Sequence, residues 1–193
     1  MNVLVALVTC RKAEYRARRE RCLTTWVREL PPGYRLMIAD GETLSCPDGY
    51  NGLSDKVREV ALRASSYDWL LKVDDDVWLR PKQLRPPEAD YAGCVIGDEA
   101  LRYASGGCYW LSARAIGIMC RAPRNKVNTS AEDQWVGRVM QAAGIEPVSL
   151  PDYVLEPCRC GCVPVKIPKD WTAFIGQVSG NQPRSYPPGF YEC

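Results

Sequence analysis

The sequence predicts an open, mixed α/β sheet folded as a single domain. Three observations lead there. The 193 residues (21.6 kDa) are 46% hydrophobic and 25% charged, the balance of one soluble domain able to bury a core. Val3 to Thr9 is a continuous apolar run of strand length. Up to Val73 the pattern then reads strand, helix, strand, helix, strand, the rhythm of an α/β sheet.

The opening run does not alternate as a half-exposed strand does, so it belongs at the sheet's centre with both faces covered. A helix follows, carrying Leu23, Trp26, Val27 and Leu30 at helical spacing and closed by Pro31-Pro32-Gly33. Arg35 to Ala39 is a short second strand ending at Asp40-Gly41. From about Ser54 a second helix turns Leu53, Val57, Val60, Ala61 and Ala64 inward. Trp69 to Val73 is the third strand, which completes a Rossmann-like N-terminal half. Ligands of such sheets gather beyond the carboxyl ends of the strands. Thr9-Cys10-Arg11, Asp40-Gly41-Glu42 and Asp74-Asp75-Asp76 are therefore predicted to converge on one crevice. The second half is mixed. Tyr91 to Ile96 and Tyr103 to Leu111 read as strands, the latter interrupted by Gly106-Gly107. Ala113 to Cys120 reads as a helix, and another starts near Ser130 with Trp135, Val136, Val139 and Met140 on one face. Beyond Pro147 no period stands out.

Charge and cysteine usage bound the function classes. The formal net charge of +2 does not by itself imply a polyanionic partner, although Arg11, Lys12, Arg16, Arg18, Arg19 and Arg21 crowd one stretch. Met1 to Val8 is too short to span a bilayer and lacks the features of a signal peptide, and nothing later resembles a membrane helix. These features predict a cytoplasmic protein without membrane contact; the alternative is the trimmed luminal domain of a secretory-pathway enzyme. Cys10, Cys22, Cys46, Cys94, Cys108 and Cys120 are scattered as buried thiols would be. Cys158, Cys160 and Cys162 cluster, and with Cys193 could hold a structural zinc, though without the usual two-residue gap; unpaired thiols or a local disulfide are the alternatives.

Asp74-Asp75-Asp76 is the sharpest chemical signal. Three adjacent carboxylates at the edge of a buried strand repel one another unless a cation neutralises them. In extended geometry Asp74 and Asp76 share a face with Asp75 opposite. Hard oxygen ligands of this kind suit Mg²⁺ or Mn²⁺ shared with a diphosphate; a solvated acidic turn is the plainer alternative.

Around this triplet, the segment Trp69-Leu-Leu-Lys-Val-Asp-Asp-Asp-Val-Trp-Leu-Arg-Pro81 resembles the metal-binding segment of the β-1,3-glycosyltransferases, the group that includes galactosyltransferases and Fringe. Four more segments agree in order: Arg18-Arg19-Glu-Arg-Cys-Leu-Thr-Thr-Trp26, Ala39-Asp40-Gly41-Glu42, Tyr103-Ala-Ser-Gly-Gly-Cys-Tyr-Trp-Leu-Ser112 and Glu132-Asp133-Gln-Trp-Val-Gly137. The resemblance implies a GT-A fold, a UDP-sugar donor and an inverting mechanism. It implies a core over 1–150, divided into a nucleotide-binding half (1–80) and a donor-sugar and acceptor half (81–150), with a Cys/Pro-rich tail over 151–193 packed on it. By residue it implies Asp76 and Asp74 at the metal, and Thr9, Arg18, Asp40, Asp74, Asp75, Gly106 and Gly107 at the donor. Asp133 would be the catalytic base. The chemistry agrees: displacement at an anomeric carbon needs a stabilised diphosphate leaving group and a carboxylate to take the acceptor's proton.

Each of these residues has a plainer role. Ser130-Ala-Glu-Asp133 is also a capping-box pattern. Arg18 and Arg19 suit a solvated helix face, Asp40-Gly41 a turn, Gly106-Gly107 a bulge. Relatives commonly add a histidine metal ligand near the C-terminus, and this chain has no histidine. Either the aspartates, diphosphate and water suffice, or a tail residue such as Asp170, Gln177 or Asn181 substitutes. The acceptor surface is expected in the basic and aromatic stretches, Arg114 to Thr129 and the tail after Pro147. Such interleaving suits a hydroxymethylated base in DNA, 5-hydroxymethylcytosine in a viral or bacterial setting, as the leading acceptor; a glycan or a protein side chain is the rival. Two readings of another class stay open: an inactive nucleotide- or metal-binding module, and a zinc-stabilised nucleic-acid-binding protein.

Overall fold

A computed structural model describes residues 1–125, 131–155, 172–175, 178–179 and 182–183. In chain order its regular elements are β1 (Val3–Val8), α1 (Ala13–Thr24), β2 (Tyr34–Ala39), α2 (Gly41–Leu44), α3 (Leu53–Arg63), β3 (Trp69–Asp74), β4 (Val77–Leu79), β5 (Tyr91–Gly97), β6 (Arg102–Ser112), α4 (Ala113–Arg121), α5 (Glu132–Ala142), β7 (Val148–Ser149), β8 (Tyr153–Leu155), β9 (Ala173–Ile175), β10 (Val178–Ser179) and β11 (Gln182–Pro183). The main sheet has the order β2-β1-β3-β6-β5-β7. Its β2-β1-β3 half is parallel, and β6 runs antiparallel to both β3 and β5, so the sheet is mixed. A smaller sheet, β4-β9-β8, lies beside it.

Every residue of β1 is buried, which explains its unbroken apolar sequence. Its pleat divides two cores. Leu4, Ala6 and Val8 join Val57, Val60 and Ala61 of α3, Ile116 and Met119 of α4, and Trp135, Val136 and Met140 of α5. Val3, Val5 and Leu7 face the other way, onto Cys22, Trp26, Leu71, Val73, Val77, Leu79 and Trp110. Described residues beyond 150 join this second core. Tyr153 is buried, its hydroxyl accepts a 2.6 Å hydrogen bond from Trp110 Nε1, and β9 pairs with β4.

Local chemistry moves three boundaries from where the pattern sets them. The first helix stops at Thr24, and Trp26–Glu29 forms a separate 3₁₀ turn. The Thr24 and Thr25 hydroxyls donate to the carbonyls of Glu20 and Arg21, and Thr25 leaves the helical region. The apolar residues read as the helix's inner face thus lie mostly beyond it. Asp40-Gly41 begins a short helix rather than a bare turn, because the Asp40 carboxylate accepts from the amides of Glu42 and Thr43. At Gly106-Gly107, by contrast, the irregularity lies where the pattern sets it: Gly93 pairs with Tyr109 and Val95 with Ala104, so β6 carries extra residues across the two glycines although the strand itself continues. Helix α5 begins at Glu132, capped at Ala131 without a side-chain bond, and Ser130 lies outside the described residues.

Candidate active site

The parallel pairing of β1 with β2 and β3 brings Val8, Ala39 and Asp74 into register, so their loops leave the sheet along one edge. A cavity of about 260 Å³ opens there, lined by Thr9, Cys10, Lys12, Tyr15, Arg18, Asp48, Lys56 and all three acids of the triplet. Two of the three predicted clusters therefore meet at the cavity. The third does not line it: Asp40 is buried as the cap of α2, 3.7 Å from Arg19.

The acids do not alternate as an extended strand would, because the chain turns at Asp75 and Asp76 after β3 ends. Asp75 is buried and accepts a 2.6 Å hydrogen bond from the Thr9 hydroxyl. Asp75 and Asp76 both approach the Arg18 guanidinium, at 4.0 and 3.9 Å. These are loose ion pairs, which leave Arg18 oriented toward the acids without committing its donors. Helix α1 places it: Tyr15, Arg18 and Cys22 lie on one face, and Cys22 is the residue the helix buries. Asp74 also lines the cavity and accepts a 2.7 Å bond from Lys72 Nζ.

Burial raises the pKa of all three carboxyls, Asp74 to about 7. Repulsion from Asp76 adds to the effect at Asp74 and Asp75, while Lys72 opposes it at Asp74 and Arg18 at Asp75. Such a cluster gains from a cation that favours its ionised form. Among the described residues no group of three carboxylate or thiolate side chains is placed to hold a metal unaided. The oxygen donors of the triplet are of the chemical kind that hard divalent ions take. Cys158, Cys160, Cys162 and Cys193, the candidate zinc ligands, lie outside the described residues, as do Asp170, Gln177 and Asn181.

Two groups that pattern reading passed over organise the cavity. Asp48 joins the loop after β1, the start of α2 and helix α3: it accepts from the Arg11 amide at 2.7 Å, the Gly41 amide at 2.9 Å and Lys56 Nζ at 2.7 Å. Burial pushes its pKa up, but these hydrogen bonds outweigh it and hold the carboxyl below its ordinary value. Lys56 is buried and also donates to the Thr9 carbonyl at 2.6 Å. Its signal was legible, since Lys56 falls on the apolar face of α3 between Leu53 and Val60. Asp48 had none, because Pro47-Asp48-Gly49 has the composition of any turn.

The Glu132-Asp133 pair separates by environment. Glu132 is buried, accepts a 2.5 Å bond from the Tyr109 hydroxyl and lies 3.4 Å from Lys72 Nζ. Asp133 is half-buried; its carboxylate accepts from the Gly106 amide at 3.0 Å and from the Gln134 amide at 2.8 Å. A side chain at Gly106 would press on both acids, its Cβ 3.2 Å from Glu132 Oε2 and 3.4 Å from Asp133 Oδ2. The second glycine, Gly107, is half-buried in the same strand. Of the proposed acceptor stretch, Arg114 lies by Ser112, paired with Trp69 at the opposite edge of the sheet from Asp74. Asn125 returns to the cavity side, where its amide donates to Ser54 Oγ at 3.2 Å.

No protein-family profile and no curated protein sequence matches the chain. Solved structures do. A Drosophila β-1,4-galactosyltransferase 7 variant in complex with manganese, UDP-Gal and xylobiose superposes with a TM-score of 0.53 at 13% identity, over 77% of this chain and 65% of that one. The catalytic domain of the same enzyme bound to xylobiose gives the same values. A glycosyltransferase involved in glycosylation of the major capsid of PBCV-1 superposes at 0.51 and 14% identity, over 80% of this chain and 85% of that one. The chain thus spans just under two thirds of the galactosyltransferase it matches. At these identities the likeness is one of fold, and the fold is GT-A: a single α/β domain on a six-stranded mixed sheet.

Proposed function

We propose that this chain is a glycosyltransferase that uses a divalent metal and a UDP-sugar, inverts the anomeric centre, and acts on a glycan or glycoprotein hydroxyl. The observation that carries the reading is the cavity of the GT-A sheet: acids Asp74, Asp75 and Asp76 stand on its wall, with Arg18, Lys12 and Lys56 around them. That pairing of acids with cations is what a metal–diphosphate group requires. The manganese, UDP-Gal and xylobiose of one structural neighbour, and the capsid glycosylation of another, support the donor and acceptor classes.

In this reading Asp76 and Asp74 hold Mn²⁺ or Mg²⁺, and Asp75, fixed by Thr9, faces the donor. The metal, when bound, would neutralise the charge that builds on the leaving diphosphate. Arg18 adds a second positive group to that charge. Gly106 and Gly107 line the donor sugar. Asp133, half-buried and held by two backbone amides, takes the proton of the attacking hydroxyl. Glu132 is enclosed and already bound to Tyr109, so it is the less suited of the pair. The ordered motifs from Arg18 to Gly137 support a place near the β-1,3 and Fringe-like enzymes within this fold.

The test is mass spectrometry of products from a panel of UDP-sugars with Mn²⁺, offered to oligosaccharides, glycopeptides and hydroxymethylated DNA. Transfer to a saccharide supports the reading in full. Transfer to DNA alone would keep the enzyme and replace the acceptor. No transfer and no UDP binding would refute it.

A further inference from the structure

Lys72 has no part in the mechanism so far, yet it is the most enclosed charge among the described residues. It sits in β3 between Leu71 and Val73 with no solvent exposure. A lone ammonium there would be expelled or neutralised. Two carboxylates, Asp74 and Glu132, stand against it instead. Its three donors are all used. One goes to Asp74 Oδ1 at 2.7 Å, one to the Gly106 carbonyl, and one toward Glu132 Oε2 at 3.4 Å. The ammonium also lies 5.5 Å from the centre of the Tyr109 ring.

The partners matter more than the pairing. Asp74 belongs to the metal wall of the cavity. Gly106 is held at both ends: its carbonyl by Lys72 and its amide by the Asp133 carboxylate. Glu132 opens the helix that carries Asp133. One buried cation therefore connects the acid cluster on β3, the glycine strand β6 and the first turn of α5. We infer that Lys72 is a positioning residue that sets Asp133 against the donor site through the Gly106 peptide. This rests on the glycosyltransferase reading above for its catalytic consequence, though not for its geometry.

Lys72→Met alone would strand Glu132 as an uncompensated buried charge and destabilise the fold. The informative variant is Lys72→Met with Glu132→Gln, which removes the two most enclosed charges at nearly constant volume, keeps an acceptor for Tyr109 and leaves Asp74 at the partly open cavity wall. Two measurements are made on it. Amide hydrogen exchange of Gly106 by NMR needs neither donor nor metal; it should accelerate about tenfold or more while the β1 amides stay protected. Steady-state kinetics should show kcat lowered about 100-fold with the donor KM little changed, as expected for a misplaced base. A Gly106 amide that stays protected, or a kcat within threefold of the parent chain, overturns the role of Lys72. If the parent chain itself transfers no sugar, the glycosyltransferase reading fails, and the exchange result still decides whether Lys72 holds Gly106.

Discussion

Asp133 and Glu132 are neighbours in sequence with opposite fates, and the difference is solvent. Glu132 is enclosed against Lys72 and Tyr109, whereas Asp133 keeps a half-open position with both oxygens anchored by amides. Asp133→Asn keeps one acceptor oxygen, enough for the Gly106 amide, while it loses the bond from the Gln134 amide and the ability to take a proton. Transfer should fall by about 10² to 10⁴, the range for a lost general base, while UDP–Mn²⁺ affinity measured by calorimetry stays within a few-fold. Equal losses in binding and turnover would instead make Asp133 a structural cap. At this scale the sequence was informative where a residue broke its surroundings. A lysine inside an apolar strand, or on the apolar face of α3, announces a buried partner. Asp48 broke nothing, and its role depends on three separate segments meeting, which no local pattern encodes.

Elements were legible where burial imposed a period and were misplaced where side chains compete with the backbone. The strands β1 and β3 and the helices α3 and α4 fall within a residue or two of their apolar patterns. The end of α1 did not, because Thr24 and Thr25 bond back to the preceding turn. Two predictions belong here. Helix α5 crosses β6 so closely that a Cβ at Gly137 would lie 2.5 Å from Tyr103 Cβ. Gly137→Ala should therefore destabilise the domain by about 1–3 kcal/mol in denaturant titration, as overpacking does; an unchanged midpoint would mean the two elements are further apart. The second concerns Asp48, whose folded pKa lies below its ordinary value. Its stabilisation is present above the unfolded pKa of about 3.9 and is lost as pH falls through the lower folded value. Melting temperatures of the parent chain and Asp48→Asn should differ most above about pH 5 and converge toward pH 3. A gap that does not change with pH would show that Asp48 acts by packing rather than charge.

For the molecule as a whole, the topology does what no single motif could: parallel β2-β1-β3 directs their loops to one edge, and antiparallel β6 brings Gly106 back beside Asp74. The parallel half followed from its helix–strand rhythm. The antiparallel half did not, since strand order depends on long-range pairing that local periodicity leaves undetermined. This assembly makes a prediction about ligand linkage. The described side chains supply too few converging ligands to hold a metal by themselves, and burial raises the pKa of all three acids of the triplet. Mn²⁺ alone should then bind weakly and UDP alone should meet uncompensated acids, while the two together complete each other's coordination. A ligand at 100 times its Kd adds about 2.7 kcal/mol to stability, or roughly 5–10 °C in melting temperature for a domain of this size. The expected result in a thermal shift assay is therefore a marked rise with Mn²⁺ and UDP together, little with either alone, and reversal by a chelator. If Mn²⁺ alone gave the full rise, the ion would have a complete protein cage elsewhere. If the pair gave none, the cavity at the end of β1 and β3 would not be a metal–nucleotide site.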